Sequence, residues 1–289
     1  MTEIRVAAAP DAPPLAATRT APPFSVTRMP GFGLVAVASF AVLYLPIITL
    51  VIFSFNASTS MSSWGGLSLD WYRAAWRNEV VQEATVRSLI LATSAAVIST
   101  TVATLAALGT TRQGRFPGRT AIYAMVNQPL MVPEIVTAVS LLIVFGFVRS
   151  LTGYQGLGYL ILAHSAFCVP FAYLPIRARL EGMDRTLELA AADLYASPVQ
   201  AFRRITLPLL APGIMAGAML AFVVSLDDVV ITEFVKSAGQ DTLATYMLGQ
   251  FRRTLTPEVN AISTALLGFT LVLLTGFFLI TRKRARDPR

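Results

Sequence analysis

This sequence predicts an all-α polytopic membrane protein with six transmembrane helices, on three observations. The 289 residues are 55% hydrophobic and 13% charged, about half the charge of an ordinary soluble domain. Six apolar runs are each long enough to cross a hydrocarbon core of about 30 Å at about 1.5 Å per residue. The 23 Lys and Arg residues lie in the connections and are shared unequally between alternate ones.

In chain order, residues 1–27 hold seven Ala and five Pro with few bulky apolar side chains. They cannot build a core, and they lack the apolar centre of a secretory signal, so a disordered cytoplasmic tail is expected. The six-helix transmembrane domain follows as 28–281, with a basic cytoplasmic tail at 282–289. Its first span is 31–55, with Pro46 as a kink, and its second is 89–108. The third, 121–148, contains Pro129, Pro133 and, midway, Glu134. The fourth is 159–176, with His164, Pro170 and Pro175. The fifth, 209–234, holds Asp227 and Asp228, and the sixth is 261–280. Two connections have amphipathic character: 69–87, with Trp71, Trp76 and Val80 on one face, and 242–251. Both are expected as helices at the membrane interface, where indole rings settle.

With both termini inside, inner segments hold 16 Lys and Arg and outer segments 7, which fixes the orientation by the excess of positive charge on the cytoplasmic side. The net charge of +7 therefore reflects topology, and no single basic patch for nucleic acid exists. The one cysteine, Cys168, lies in an apolar run and excludes an intrachain disulfide or a paired-Cys metal site. No GxxxxGK[ST] phosphate loop occurs, so no ATP or Mg site is expected in this chain. No nucleophile–base set and no HExxH are present, and the chain is not expected to be an enzyme.

The costly feature is Ser225-Leu226-Asp227-Asp228 inside an apolar span. One carboxylate at the bilayer centre costs about 2.5–3.5 kcal/mol on insertion scales. Glu134 adds a third acid, and no Lys or Arg falls inside any span to neutralise them. Either the missing cation is a transported solute, or the acids cap helices and bond to neighbours. Adjacent helical residues point about 100° apart, so one of Asp227 and Asp228 is expected to line a route while the other bonds to a neighbouring helix. Tyr123, Tyr173 and Phe222 are candidates to complete such a route by cation–π contact. His164, the only histidine, is expected as a hydrogen-bonding group rather than a proton relay.

The polar stretch 186–208 stands apart from the apolar runs. Its pattern predicts a helix over 186–194, a turn at Ser197-Pro198 with Ser as cap and Pro at the first helical position, and a helix over 199–205. Leu207-Pro208 then leads into the next span. Leu189-Ala190-Ala191-Ala192-Asp193-Leu194-Tyr195-Ala196-Ser197-Pro198, Phe202, Ile205-Thr206-Leu207-Pro208 and Pro212-Gly213 resemble the cytoplasmic EAA loop of ABC-importer permeases, which implies a type I importer permease fold. The resemblance implies that the hairpin seats in a cleft of an ATPase, with Glu188, Leu189, Ala190, Ala191, Asp193, Tyr195, Ser197, Pro198, Phe202, Leu207 and Pro208 at the contact. Arg203 and Arg204 would meet acidic residues there or mark the lipid interface. The family's usual Glu falls on Leu189, with Glu188 one residue early, and its usual Gly falls on Tyr195. A left-handed non-Gly residue at that turn would cost roughly 1 kcal/mol or more.

Ser225–Thr232, Pro133-Glu134-Ile135 with Ser140-Leu141-Leu142, His164 with Phe167-Cys168, and Thr256–Ala261 look like the second permease subunit of spermidine/putrescine importers. That resemblance implies a bacterial inner-membrane subunit partnered by a second permease, two ATPases that hold ATP and Mg, and a periplasmic solute-binding protein. It also implies a polyamine path past Asp227, Asp228, Glu134, Ser225, Tyr173 and Phe222. Other amines, amino-acid derivatives or metal complexes remain open as solutes. So do a proton-coupled carrier and a passive channel.

Overall fold

The computed structural model describes residues 31–60, 63–112, 114, 116–253 and 256–286, and among them an isolated bridge between Asn56 and Leu67 is the only β pairing. The expected tail 1–27 lies outside the described residues. The chain divides into two units at Ile48/Thr49. In the first, the described residues are helical from Phe32, with Pro46 inside the helix α1 (Phe32–Phe53) and no side chain buried.

The second unit carries every other helix. They are α2 (Asp70–Arg77), α3 (Glu79–Thr111), α4 (Arg119–Met131), α5 (Glu134–Thr152), α6 (Gly158–Glu181), α7 (Thr186–Asp193), α8 (Pro198–Ala201), α9 (Leu207–Asp227), α10 (Val230–Val235), α11 (Leu243–Arg253) and α12 (Pro257–Arg286). Among the described residues, six helical stretches are long and apolar enough to span a membrane.

The core is the triple contact of α3, α6 and α9. Lipid offers helices no hydrophobic reward for meeting, so close packing of small residues holds them together. Ala92, Ala95, Ala96, Ala103 and Ala107 of α3 are buried, as are Ala163, Cys168 and Ala172 of α6. Gly217 of α9 sits so near α6 that a Cβ there would lie 2.6 Å from the Ala172 carbonyl oxygen and 3.2 Å from the Ile176 side chain. Leu160, Tyr173, Ile176 and Leu210 fill the remaining space.

Several boundaries differ from the sequence expectation. The expected third span is two helices, because Pro133 lacks an N–H and drives Val132 extended (φ −103°, ψ 137°). Glu134 is thus the first residue of α5 rather than a mid-span group. The expected fifth span ends at Asp227 instead of 234, since Asp228 leaves the helix at φ −65°, ψ 132°. Its start lies earlier, because α8 continues through a π-helical turn, Phe202–Thr206, into α9. Pro208 lacks a donor and crowds the preceding turn, and a wider π turn accommodates it. The 69–87 connection is not one interfacial helix: Asn78 breaks it and caps α3 by accepting from the Val80 N–H at 3.1 Å. The expected tail 282–289 is helical through Arg286, as the end of α12.

Gly217→Ala should destabilise the fold by about 1–3 kcal/mol through overpacking against α6. Gly249→Ala, whose Cβ meets nothing within 4 Å, should not. Thermal unfolding of the two purified variants, followed by circular dichroism, checks the contrast.

Candidate transport site and coupling hairpin

The polar centre of the molecule lies where α9 stops and α10 starts. Asp228 accepts hydrogen bonds from the backbone N–H groups of Ile231 (3.3 Å) and Thr232 (2.9 Å) and from the Thr232 hydroxyl (2.9 Å). It thereby caps the first turn of α10, whose early N–H groups have no helical partner. His164 of α6 reaches into the same point. Its Nδ1 lies 2.8 Å from Ser225 Oγ, its Nε2 2.9 Å from Thr232 Oγ1 and 3.4 Å from Asp228 Oδ2. With the Thr232 hydroxyl donating to Asp228, its oxygen accepts from Nε2–H and leaves Nδ1 to accept from Ser225. A neutral imidazole satisfies every group. His164, Ser225, Asp228 and Thr232 are all buried.

Of the three acids, Asp228 faces inward and Asp227 is exposed. Glu134 is half-buried at the start of α5, and α5 packs against α10, which brings the Glu134 carboxyl near that of Asp228. The three acids and Ser225 are therefore neighbours. Tyr173 and Phe222 are not part of that group. Tyr173 is fully buried at the other end of α6, where its hydroxyl shares a 2.9 Å hydrogen bond with Thr110, and its ring centroid is 6.4 Å from that of Tyr123. Phe222 lines an apolar groove of about 780 Å³ between α3, α9 and α12, with Thr93, Val97 and Phe277. The sequence assigned Thr232 no role of its own within the Ser225–Thr232 run, although its place four residues after Asp228, inside the first turn of a new helix, fits a capping acid and its donor.

Beyond α10 an ion cluster fixes the next connection. Lys236 meets Glu233 at 2.6 Å and Asp241 at 2.7 Å. Burial opposes its charge, but the bonds to Asp241 and Glu233 outweigh that and hold its pKa above the usual lysine value. The stabilisation is thus complete at neutral pH and lost only as strongly alkaline pH passes the raised value. Arg87 Nη1 donates to the Asp241 carbonyl at 2.8 Å, and Arg149 Nη2 to Ser237 Oγ at 2.9 Å.

At the opposite end, Asp184 receives the N–H (2.9 Å) and hydroxyl (2.7 Å) of Thr186 and starts α7. The backbone bond, with the hydroxyl, keeps this exposed carboxyl below its usual pKa. α7 ends in a Schellman turn: Ala196 N–H bonds to Ala191 O (3.0 Å) and Tyr195 N–H to Ala192 O (2.9 Å). Tyr195 occupies the position favouring glycine, at φ +60° and 97% exposed. Ser197 then caps α8 in a capping box with Gln200, and Pro198 takes the first position. Leu187, Leu189, Ala190, Asp193, Leu194, Val199, Arg203, Arg204, Leu207 and Pro208 are exposed, Ala191 is buried and Phe202 half-buried. Glu188 turns inward, 3.4 Å from Arg112 at the end of α3, and accepts from the Thr206 hydroxyl at 2.9 Å. The sequence assigned Arg112 and Thr206 no role of their own, because their link to Glu188 spans separate helices.

A family model described as "Binding-protein-dependent transport system inner membrane component" matches residues 99–286. The putrescine transport system permease protein PotI of Escherichia coli K12 is 36% identical over 269 residues, covering 91% of this chain and 96% of that protein. The spermidine/putrescine transport system permease protein PotC of Haemophilus influenzae is 39% identical over 244 residues, covering 84% and 93%. Among solved structures, a bacterial ABC transporter involved in the import of the acidic polysaccharide alginate has a similar fold, with a TM-score of 0.69 at 18% identity over 88% of this chain and 94% of that one. The MetNI methionine ABC transporter, in inward-facing conformations, gives 0.58 at 18% identity over 74% and 95%. The chain belongs to the binding-protein-dependent transport system inner membrane components, the permeases of ABC importers.

Proposed function

We propose that this permease moves a small polyamine-like cation into the cytoplasm, powered by ATPases that grip the hairpin of α7 and α8. The observation that carries the solute class is the grouping of Glu134, Asp227 and Asp228 at the α5–α9–α10 junction, where no Lys or Arg among the described residues comes within ion-pairing distance. An ammonium group is the charge such a site lacks. The names of the relatives, putrescine and spermidine/putrescine permeases, support the same class.

The three acids take different roles. Asp228 is committed to capping α10 and to His164, so it positions the site. Asp227, exposed beside it, and Glu134 are the groups free to meet a passing cation. A weak, multi-point path suits transport, since a solute bound tightly would not leave.

The hairpin serves the coupling. Leu189, Leu194 and Tyr195 present apolar surface outside the six candidate spans, and Val199 extends it at the start of the fifth, which fits a protein-binding face. Arg203 and Arg204 border it. The bond set of Glu188, Arg112 and Thr206 ties the hairpin to α3 and to the start of α9, so a push on it is delivered to the core helices. The working complex would hold a second permease, two ATPases with ATP and Mg, and a periplasmic binding protein. The bundle would alternate between two packings that the ATPase states favour unequally.

Asp227→Asn should lower putrescine uptake into proteoliposomes at least tenfold while the complex still assembles; unchanged uptake would remove Asp227 from the path. Asp228→Ala should also lower the melting temperature, because losing an N-cap costs about 0.5–2 kcal/mol. Reversing both charges, Arg203→Glu with Arg204→Glu, should reduce co-purification of the ATPase, and full retention would assign the two arginines to the lipid surface.

A further inference from the structure

A cavity of about 430 Å³ opens between α3, α4 and α6, at the end of the bundle that carries the hairpin, and it is lined by Thr110, Phe116, Arg119, Thr120, Tyr123, Tyr173 and Arg177. No carboxylate lines it. The Arg177 guanidinium lies 4.8 Å from the Tyr123 ring centroid and keeps an ion pair of 2.8 Å with Glu181 outside the lining. Arg119 has no acidic partner among the described residues. The backbone adds further donors. Gly118, left-handed at φ 97°, precedes α4 without a side-chain cap, and the N–H groups of Thr120 and Ala121 find no acceptor among the described residues. Two guanidinium groups and Thr120 therefore line one space beside an uncapped helix start.

Donors of this kind suit a phosphate, whose oxygens accept bidentate bonds from Arg and are favoured at a helix start. They also repel the ammonium solute assigned to the acidic junction, so this cavity is a separate site. Phe116 and Tyr123 supply an apolar wall that a bare ion would not need but a glycerol backbone would use. Basic pockets between transmembrane helices are suited to anionic headgroups. We propose that the cavity binds a phosphate group, presented by an anionic phospholipid headgroup or free in solution, and that its occupancy braces α4 against α3 and α6 beside the coupling hairpin.

The test uses the complete importer complex, delipidated in detergent and exposed to phosphatidylglycerol, phosphatidylcholine or inorganic phosphate, with retention read by native mass spectrometry. Phosphatidylglycerol should remain on the unaltered complex in preference to phosphatidylcholine, and Arg119→Gln should weaken that retention about fivefold. Arg119→Lys, which keeps a point charge without the fork, should fall between. Retention of inorganic phosphate alone, lost in Arg119→Gln, would support the site with solution as its source. Equal phosphatidylglycerol retention in the unaltered complex and Arg119→Gln, with no phosphate retained, overturns the proposal. If Arg119→Gln does not assemble, Thr120→Val decides: it should lose retention without losing charge, and unchanged retention counts against the site.

Discussion

A helix broken among buried groups has no water to satisfy it, and the junction of α9 and α10 is arranged around that constraint. Each orphaned backbone group in lipid costs several kcal/mol. Asp228 meets the demand by accepting from two N–H groups and a hydroxyl of the new helix. His164 and Ser225 then close the set, so that a carboxylate, an imidazole and two hydroxyls stabilise one another away from solvent. The chain can stop one helix and begin another among buried side chains because this cluster is complete. Asp227 is turned outward beside it as a consequence.

The two ends of α9 are thus handled differently. At the acidic end the helix breaks, and a side-chain network replaces the lost backbone bonds. At the hairpin end it does not break: the π turn at Phe202–Thr206 carries the helix through Pro208 without interruption. A continuous rod from α8 to Asp227, held to α3 through Glu188 and Arg112 and to α6 by close approach at Gly217, links the hairpin to the polar junction. Rigid elements with a few hinge points are how small displacements are carried across a packed bundle. The helix break at Val132–Pro133 places Glu134 opposite the same junction, so both discontinuities fall where the acids gather.

Tyr195 shows what the hairpin tolerates. A left-handed turn at a non-Gly residue costs about 1–2 kcal/mol, yet the Schellman bonds from Ala196 and Tyr195 are both made. The side chain points almost wholly into solvent. An exposed aromatic in a strained turn agrees with the docking role proposed for the surface around it.

Hydropathy and spacing alone determined the all-α class, the membrane spans, the hairpin with its Ser197-Pro198 start, and the cluster of unneutralised acids, because each is written in local composition. The glycine position occupied by Tyr195 was legible from the resemblance to the EAA loop. The sequence did not resolve which acid bonds inward, that Thr232 joins it, that Glu188 is held by Arg112 and Thr206, or that Tyr173 lies at the far end from the acids. Those outcomes depend on which helix faces meet. Helix boundaries at Asp227 and Glu79 likewise escaped hydropathy, since a helix ends where a side chain or neighbouring helix can take over its backbone bonds, and only the packed bundle supplies those partners.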